Sequence, residues 1–262
     1  MNMVDYVLAR KSRNIASNAV YILLNILLGF GAVLGTVFSG SPAVGILLVL
    51  LSKWRIFAVR RRYLFLNIKA NLVDLIVGLS IVLLAYYTST SLVLVDFILV
   101  SIYILWLLVI KPMSSERATL VQSIFAVMLG ISASTIMTAN LNPVVAVILA
   151  FLIGYAASRH VLIQSESKDF TLTTLVCGLI FGEVAYLGSV WGIIYTFGDT
   201  GIRVPQVAIL LTIFSFIFNY ARQTLASHAE DFRFKDIIGP IIFGIILIGI
   251  IVLWFSEPIF NI

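Results

Sequence analysis

Three acidic residues lie inside long apolar runs of this chain: Asp74, Asp96 and Glu183. An ionisable side chain near the centre of a bilayer costs about 2.5–3.5 kcal/mol on insertion scales, so such residues are rare without a role. Asp74 stands about two turns from the basic end of its run and within reach of Lys69 or the neighbouring arginines. Asp96 stands near the opposite end of its run, where water meets it. Glu183 is central in the longest run, with no Lys or Arg at its depth. With Gln122 and Asn219, these acids form the candidate set for a proton or substrate site. Glu183 is expected to be a protonatable group on a polar path between helices, with Tyr186 as a hydroxyl partner and Gly178, Gly182 and Gly188 allowing close approach.

The basic run Lys53, Trp54, Arg55, Arg60, Arg61, Arg62 and Tyr63 has the chemistry of an anionic headgroup site, with Arg60–Arg62 as its centre. A topogenic role alone also accounts for it. His160 and His228 fall on the same side as this run. Neither an H-E-x-x-H pattern nor any Cys/His spacing accompanies them, so no metal site is expected. No P-loop, G-x-S-x-G or kinase signature is present, and no cofactor or catalytic residue is assigned. Cys177, the single cysteine, sits in an apolar run and reads as an inert packing thiol.

Small and polar residues recur at helical spacing, which places them on single faces. The series are Asn18, Asn25, Gly29, Ala32, Thr36; Asn67, Asn71, Asp74, Gly78; Gln122, Ala126, Gly130, Ser134, Thr138; Thr171, Thr174, Gly178, Gly182, Tyr186; and Ala208, Thr212, Ser215, Asn219, Arg222. Such stripes are either helix-packing seams or the walls of a polar path.

The elements that position these residues are membrane helices. Hydrophobic residues make up 61% of the chain and charged ones 11%, with a mean hydropathy of +1.11, against about 25% charged in a soluble domain. Too few charges remain to cover a water-soluble fold. The apolar runs are also too continuous for barrel strands. About 20 apolar residues cross the hydrocarbon core, which places spans at Asn18–Phe38, Pro42–Ala58, Ile68–Tyr87, Ser91–Ile110, Leu120–Thr138, Pro143–Ala157, Thr171–Phe197, Val204–Tyr220 and Ile237–Phe255. The second is the weakest, because Lys53 and Arg55 follow its cleanly apolar part at once; a short tilted helix or a re-entrant hairpin also fits. Arg10, Lys11 and Arg13 before the first run give the start of the chain the look of a signal peptide. That run exceeds the usual roughly 7–15 residues, so an uncleaved span is expected.

The expectation is therefore an all-α, polytopic bundle of about nine spans, forming a single membrane domain over residues 1–262. Nine alternating spans with a cytoplasmic N-terminus and an outside C-terminus place every Lys and Arg except Arg203 inside, as the positive-inside rule requires. The net charge of +5 is then explained by this asymmetry, and nucleic acid is not a partner. The expected surroundings are a cell membrane, with anionic lipids as candidate partners. Among functions, a transporter or permease for a small solute, ion or lipid fits best. A membrane-embedded enzyme acting on a lipid-linked substrate would use the cytoplasmic group Asn67, Asn71, Asp74, Lys111, Ser114, Ser115, Gln122, Arg159 and His160. A scaffold or assembly subunit would need only seams. A water-accessible cavity at Glu183 favours the first, a cytoplasm-facing polar pocket the second, and a dry interior the third.

Overall fold

The computed structural model describes residues 3–88, 93–163, 170–196, 202–227 and 235–254. His228, Glu230 and Asp231, along with Lys168 and Arg233, lie outside the described residues. Among those described the fold is all-helical apart from one short hairpin. The helices are α1 (Met3–Ser39), α2 (Pro42–Ser52), α3 (Trp54–Phe57), α4 (Arg61–Ala70), α5 (Leu72–Thr88), α6 (Val93–Leu105), α7 (Glu116–Thr138), α8 (Pro143–Leu162), α9 (Phe170–Trp191), α10 (Gln206–Ser227) and α11 (Lys235–Trp254). The hairpin pairs β1 (Ile194–Thr196) with β2 (Arg203–Pro205) antiparallel, setting Ile194 opposite Pro205.

Four helical stretches are long and apolar enough to cross a membrane: Ser17–Ser39, Glu116–Thr138, Pro143–Leu162 and Phe170–Trp191. A fifth is the pair α4 and α5, bent by 66° at their junction. Pro42–Ser52, Leu94–Ile110, Gln206–Arg222 and Ile237–Leu253 are apolar but shorter. The expected second span, Pro42–Ala58, is divided. α2 has 11 residues, about 16 Å of helix against a core of about 30 Å, and Lys53 ends it. α3 and α4 follow, with Trp54, Phe57, Tyr63, Phe65 and Leu66 exposed beside exposed Arg55 and Arg60–Arg62. Basic and aromatic side chains displayed together suit a helix lying in a membrane interface.

Local chemistry sets the turns at the end opposite this basic surface. Gly40 takes φ of +60° after α1, a conformation that glycine adopts without steric cost. Ser41 then caps α2 by accepting from the amide of Ala43, with Pro42 in the first turn. Asn142 and Pro143 repeat the arrangement at α8, Asn142 Oδ1 accepting from Val144 N at 3.0 Å.

Between the two ends lie two cores that share α7. One joins α1, α2, α5, α6 and α7 around Tyr103, Trp106, Ile81 and Leu107. The other joins α7, α8, α9 and α10 around Ile131, Phe181 and Leu211. In lipid such contacts are held by packing rather than by hydrophobic expulsion, so close approach matters. Gly130 of α7 provides it: a methyl there would stand 2.9 Å from Ile76 Cγ2 and 3.2 Å from two carbons of Ile153.

The helical stripes are mostly buried on these contacts. Their hydroxyls turn back onto their own helices, as Thr36 does to Ala32 O, Thr138 to Ser134 O and Thr212 to Ala208 O. Over most of their length the stripes are packed seams.

Candidate functional site

Polar side chains converge at the basic end, around Asp74. This residue stands in the first turn of α5 and is 8% exposed. Lys53 donates to its Oδ2 at 2.5 Å, Lys111 to the same oxygen at 2.8 Å, and Trp106 Nε1 to Oδ1 at 3.0 Å. The expected partners were Lys69 or the arginines, but the end of α2 and the end of the fourth apolar run supply the cations instead. Lys53 is positioned because α2 stops there and its side chain turns under α5, where it is 3% exposed. Lys111 keeps 42% of its side chain exposed. A buried charge must be paired and hydrogen-bonded to be tolerable. Asp74 satisfies that rule, and the first-turn position adds the favourable field of the helix N-terminus. Two ammonium groups on one carboxylate leave a surplus positive charge facing the open side.

The approach of Lys111 depends on a break in helical regularity. Residues Trp106–Ile110 form a π-helical turn, with Lys111 N bonding to Trp106 O at 2.8 Å. Such turns widen a helix locally and are frequent at functional sites. Gln122 of α7 secures the segment beyond it. Its Nε2 donates to Ile110 O at 2.7 Å and to Met113 O at 2.9 Å, with Lys111 O at 3.4 Å. Because its amide nitrogen is committed to carbonyls, its Oε1 is an acceptor, and His160 Nε2 donates to it at 2.6 Å. A continuous polar chain therefore runs from Lys53 through Asp74, Lys111 and Gln122 to His160. Beside it, the hydroxyl of Tyr103 is buried and has no hydrogen-bond partner among the described residues. An orphaned buried hydroxyl next to surplus charge is a place for a further acceptor.

Of the cytoplasmic group expected for an enzyme, Asp74, Lys111, Gln122 and His160 are thus joined. Asn67 and Asn71 serve the corner between α3 and α5, donating to Ile56 O at 2.9 Å and to Asn67 O at 2.8 Å. Ser115 caps α7. Arg60, Arg61 and Arg62 remain exposed on the interfacial surface, Arg62 lying 4.6 Å from the centre of the Tyr63 ring.

The other candidates stand apart from this centre. Asp96 is buried in the first turn of α6, and its Oδ1 has no partner among the described residues. Asn219 is 1% exposed on α10; its Nδ2 donates to Ser215 Oγ at 3.2 Å, and its Oδ1 is unpartnered among the described residues. Glu183 is exposed on the outer face of α9, between Leu179 and Leu187, with Tyr186 exposed beside it. Gly178 and Gly182, by contrast, face α8, each within 3.4 Å of Phe151 or Val147 atoms were a methyl added.

A second concave site at the opposite end was not foreseen. It is a cleft of about 210 Å³ lined by residues that include Thr135, Thr138, Ser189, Trp191 and Gln206. Gln206, which opens α10, is 4% exposed and donates to Ile251 O at 3.2 Å. Trp106 and Tyr103 were also missed as site residues, and Lys53 was placed only in the basic run, not beside Asp74. Their only signal was depth: a lysine closing one apolar run, an acid just inside the next, and an amphipathic aromatic just before a third run ends. Compared with protein-family models, with curated proteins and with solved structures, the chain matches none.

Proposed function

We propose that this chain is a nine-crossing permease of the cell membrane, with its N-terminus cytoplasmic and Ile262 outside. It takes an anionic small solute or lipid headgroup at the cytoplasmic end of the bundle. The observation that carries this reading is the sharing of Asp74 Oδ2 by Lys53 and Lys111. Coulombic attraction at such a partly buried site is stronger than in water. An incoming phosphate or carboxylate competes for the exposed Lys111, while Lys53 and Trp106 keep Asp74 satisfied. Arg60–Arg62 concentrate anions at the same surface.

Transport is favoured over chemistry by two features. Both oxygens of Asp74 are occupied, so it offers no free base. The α7 series Gln122–Thr138 also links the basic centre to the outer cleft, with the packed section at Gly130 between them. Nine crossings are supported by the alternation of basic residues and by the shared end of Lys53, Asp74, Lys111 and His160. The short α2 is then accommodated by local thinning of the bilayer and by snorkelling of Lys53 and Arg55.

The test is uptake of radiolabelled inorganic phosphate and of small carboxylates by proteoliposomes at fixed ionic strength, with wild type and Lys111→Gln. Uptake by wild type that falls at least tenfold in the variant supports the proposal. Equal rates in the two, or none above empty vesicles, would sink it. For topology, a C-terminal reporter active only in the cytoplasm overturns the outside placement.

A further inference from the structure

A groove separate from the ion-paired centre runs along the membrane-facing side of α5, α7 and α8. It holds about 310 Å³, and its walls include Leu72, Leu79, Leu83, Met137, Leu149 and Leu152. Leu152 is 49% exposed, so the groove opens sideways, toward lipid. Its one hydroxyl from α7, Ser134, is spent on Ile131 O at 3.1 Å. From Leu72 to Leu83 the wall is about 16 Å of helix, half of a hydrocarbon core of about 30 Å. That length corresponds to one acyl chain of one leaflet.

What lies at its basic end identifies the rest of the occupant. Below Leu152, Tyr155 and Arg159 follow on α8 at steps of three and four, on one side of the helix. Lys69, at the bent corner between α4 and α5, reaches over from the other wall. Its Nζ is 6.0 Å from the centre of the Tyr155 ring and 4.3 Å from that of Phe65. Arg159 stands 5.1 Å from the centre of the Phe170 ring, and its Nε is buried without a hydrogen-bond partner among the described residues. Neither cation makes an ion pair among the described residues, whereas Lys53 and Lys111 both do. Two cations without an ion pair among the described residues, beneath a carbon-lined groove, complement an amphiphile with an anionic head.

We propose that this groove is a binding site for an anionic glycerophospholipid of the cytoplasmic leaflet, with one acyl chain between α5, α7 and α8 and the phosphate at Lys69 and Arg159. The site shares no residue with the Lys53–Asp74–Lys111 centre, so it stands or falls independently of the permease reading.

The experiment places the full chain in nanodiscs of phosphatidylcholine with one-tenth phosphatidylglycerol, releases it, and measures retained lipid by native mass spectrometry. Wild type should retain phosphatidylglycerol above its share. Each of Lys69→Gln and Arg159→Gln should cut that preference by about fivefold. Leu149→Trp, which fills the groove, should abolish retention; Leu79→Phe serves if the tryptophan variant does not fold. Any stabilisation by inorganic phosphate should be the same in wild type, Lys69→Gln and Arg159→Gln, because without the chain the groove contributes nothing. Retention in proportion to the mixture, or equal preference in wild type and both basic variants, would mean ordinary boundary lipid and overturn the proposal. Stabilisation by inorganic phosphate that disappears in Lys69→Gln and Arg159→Gln would overturn the acyl-chain half of it.

Discussion

Lys53 and Lys111 are separated by four helices in sequence, yet their ammonium groups meet at one oxygen, Oδ2 of Asp74, at 2.5 and 2.8 Å. Two like charges tolerate this proximity only while the carboxylate lies between them. The arrangement ties the end of α2 and the end of the fourth apolar run to the start of α5.

Removing the carboxylate should therefore be costly. Asp74→Ala leaves Lys53 buried and unpaired, and breaking a buried pair in this way costs about 3–5 kcal/mol. Replacing both partners, Lys53→Met with Asp74→Leu, should restore much of the loss. Denaturant unfolding in detergent measures both, and a single variant as stable as wild type refutes the description of the centre.

Gln122→Leu deletes the donor to Ile110 O and Met113 O and leaves His160 without its acceptor. Unsatisfied buried groups cost about 1–3 kcal/mol. The local signature is faster amide hydrogen exchange at Ile110, Lys111 and Met113, with α9 unaffected. Unchanged exchange there would show that the segment holds itself.

Glycines on the two sides of the bundle should differ in tolerance. Gly130→Val forces atoms into Ile76 and Ile153 and should destabilise by about 1–3 kcal/mol. Gly249 has nothing within 4 Å of an added methyl, so Gly249→Ala should stay within about 0.5 kcal/mol of wild type. Thermal melting of the pair is the check, and similar losses at both sites would contradict the packing.

For Glu183 the outward position makes a directional prediction. Because Glu183 is exposed and makes no hydrogen bond or ion pair among the described residues, Glu183→Leu should leave the melting temperature equal or higher and improve membrane insertion of α9 by about 2.5–3.5 kcal/mol. A glycosylation-based insertion assay reads the second quantity. A large loss of stability would show that the carboxyl has a partner within the folded protein.

Much of the helical order was legible in the chain because lipid allows few alternatives: long apolar runs must satisfy their own backbone as helices. Asp74 was legible as well, because an acid in such a run is conspicuous. Its partners were not. Lys53 reads as a topogenic residue, and nothing in its neighbours shows that α2 ends early enough to turn it inward. Glu183 illustrates the converse. Its depth along α9 follows from the run, whereas the side of the bundle it faces depends on how α8 packs on Gly178 and Gly182. Hydroxyl stripes were ambiguous for a related reason, since the same Thr serves a seam or a path according to whether its own i−4 carbonyl takes the proton.

The π-helical turn at Trp106–Ile110 carries a consequence for how the centre arises. An ordinary helix advances about 100° per residue, so one extra residue accommodated in a wide turn rotates everything beyond it by that angle. Lys111 lies just beyond the turn and Trp106 at its start, and both reach the same carboxylate. Deleting one residue between them would restore regular winding and swing Lys111 about a quarter-circle away from Asp74, leaving the rest of the helix in place. A one-codon deletion at this turn thus withdraws the second cation from the ion pair while leaving Lys53 on Asp74.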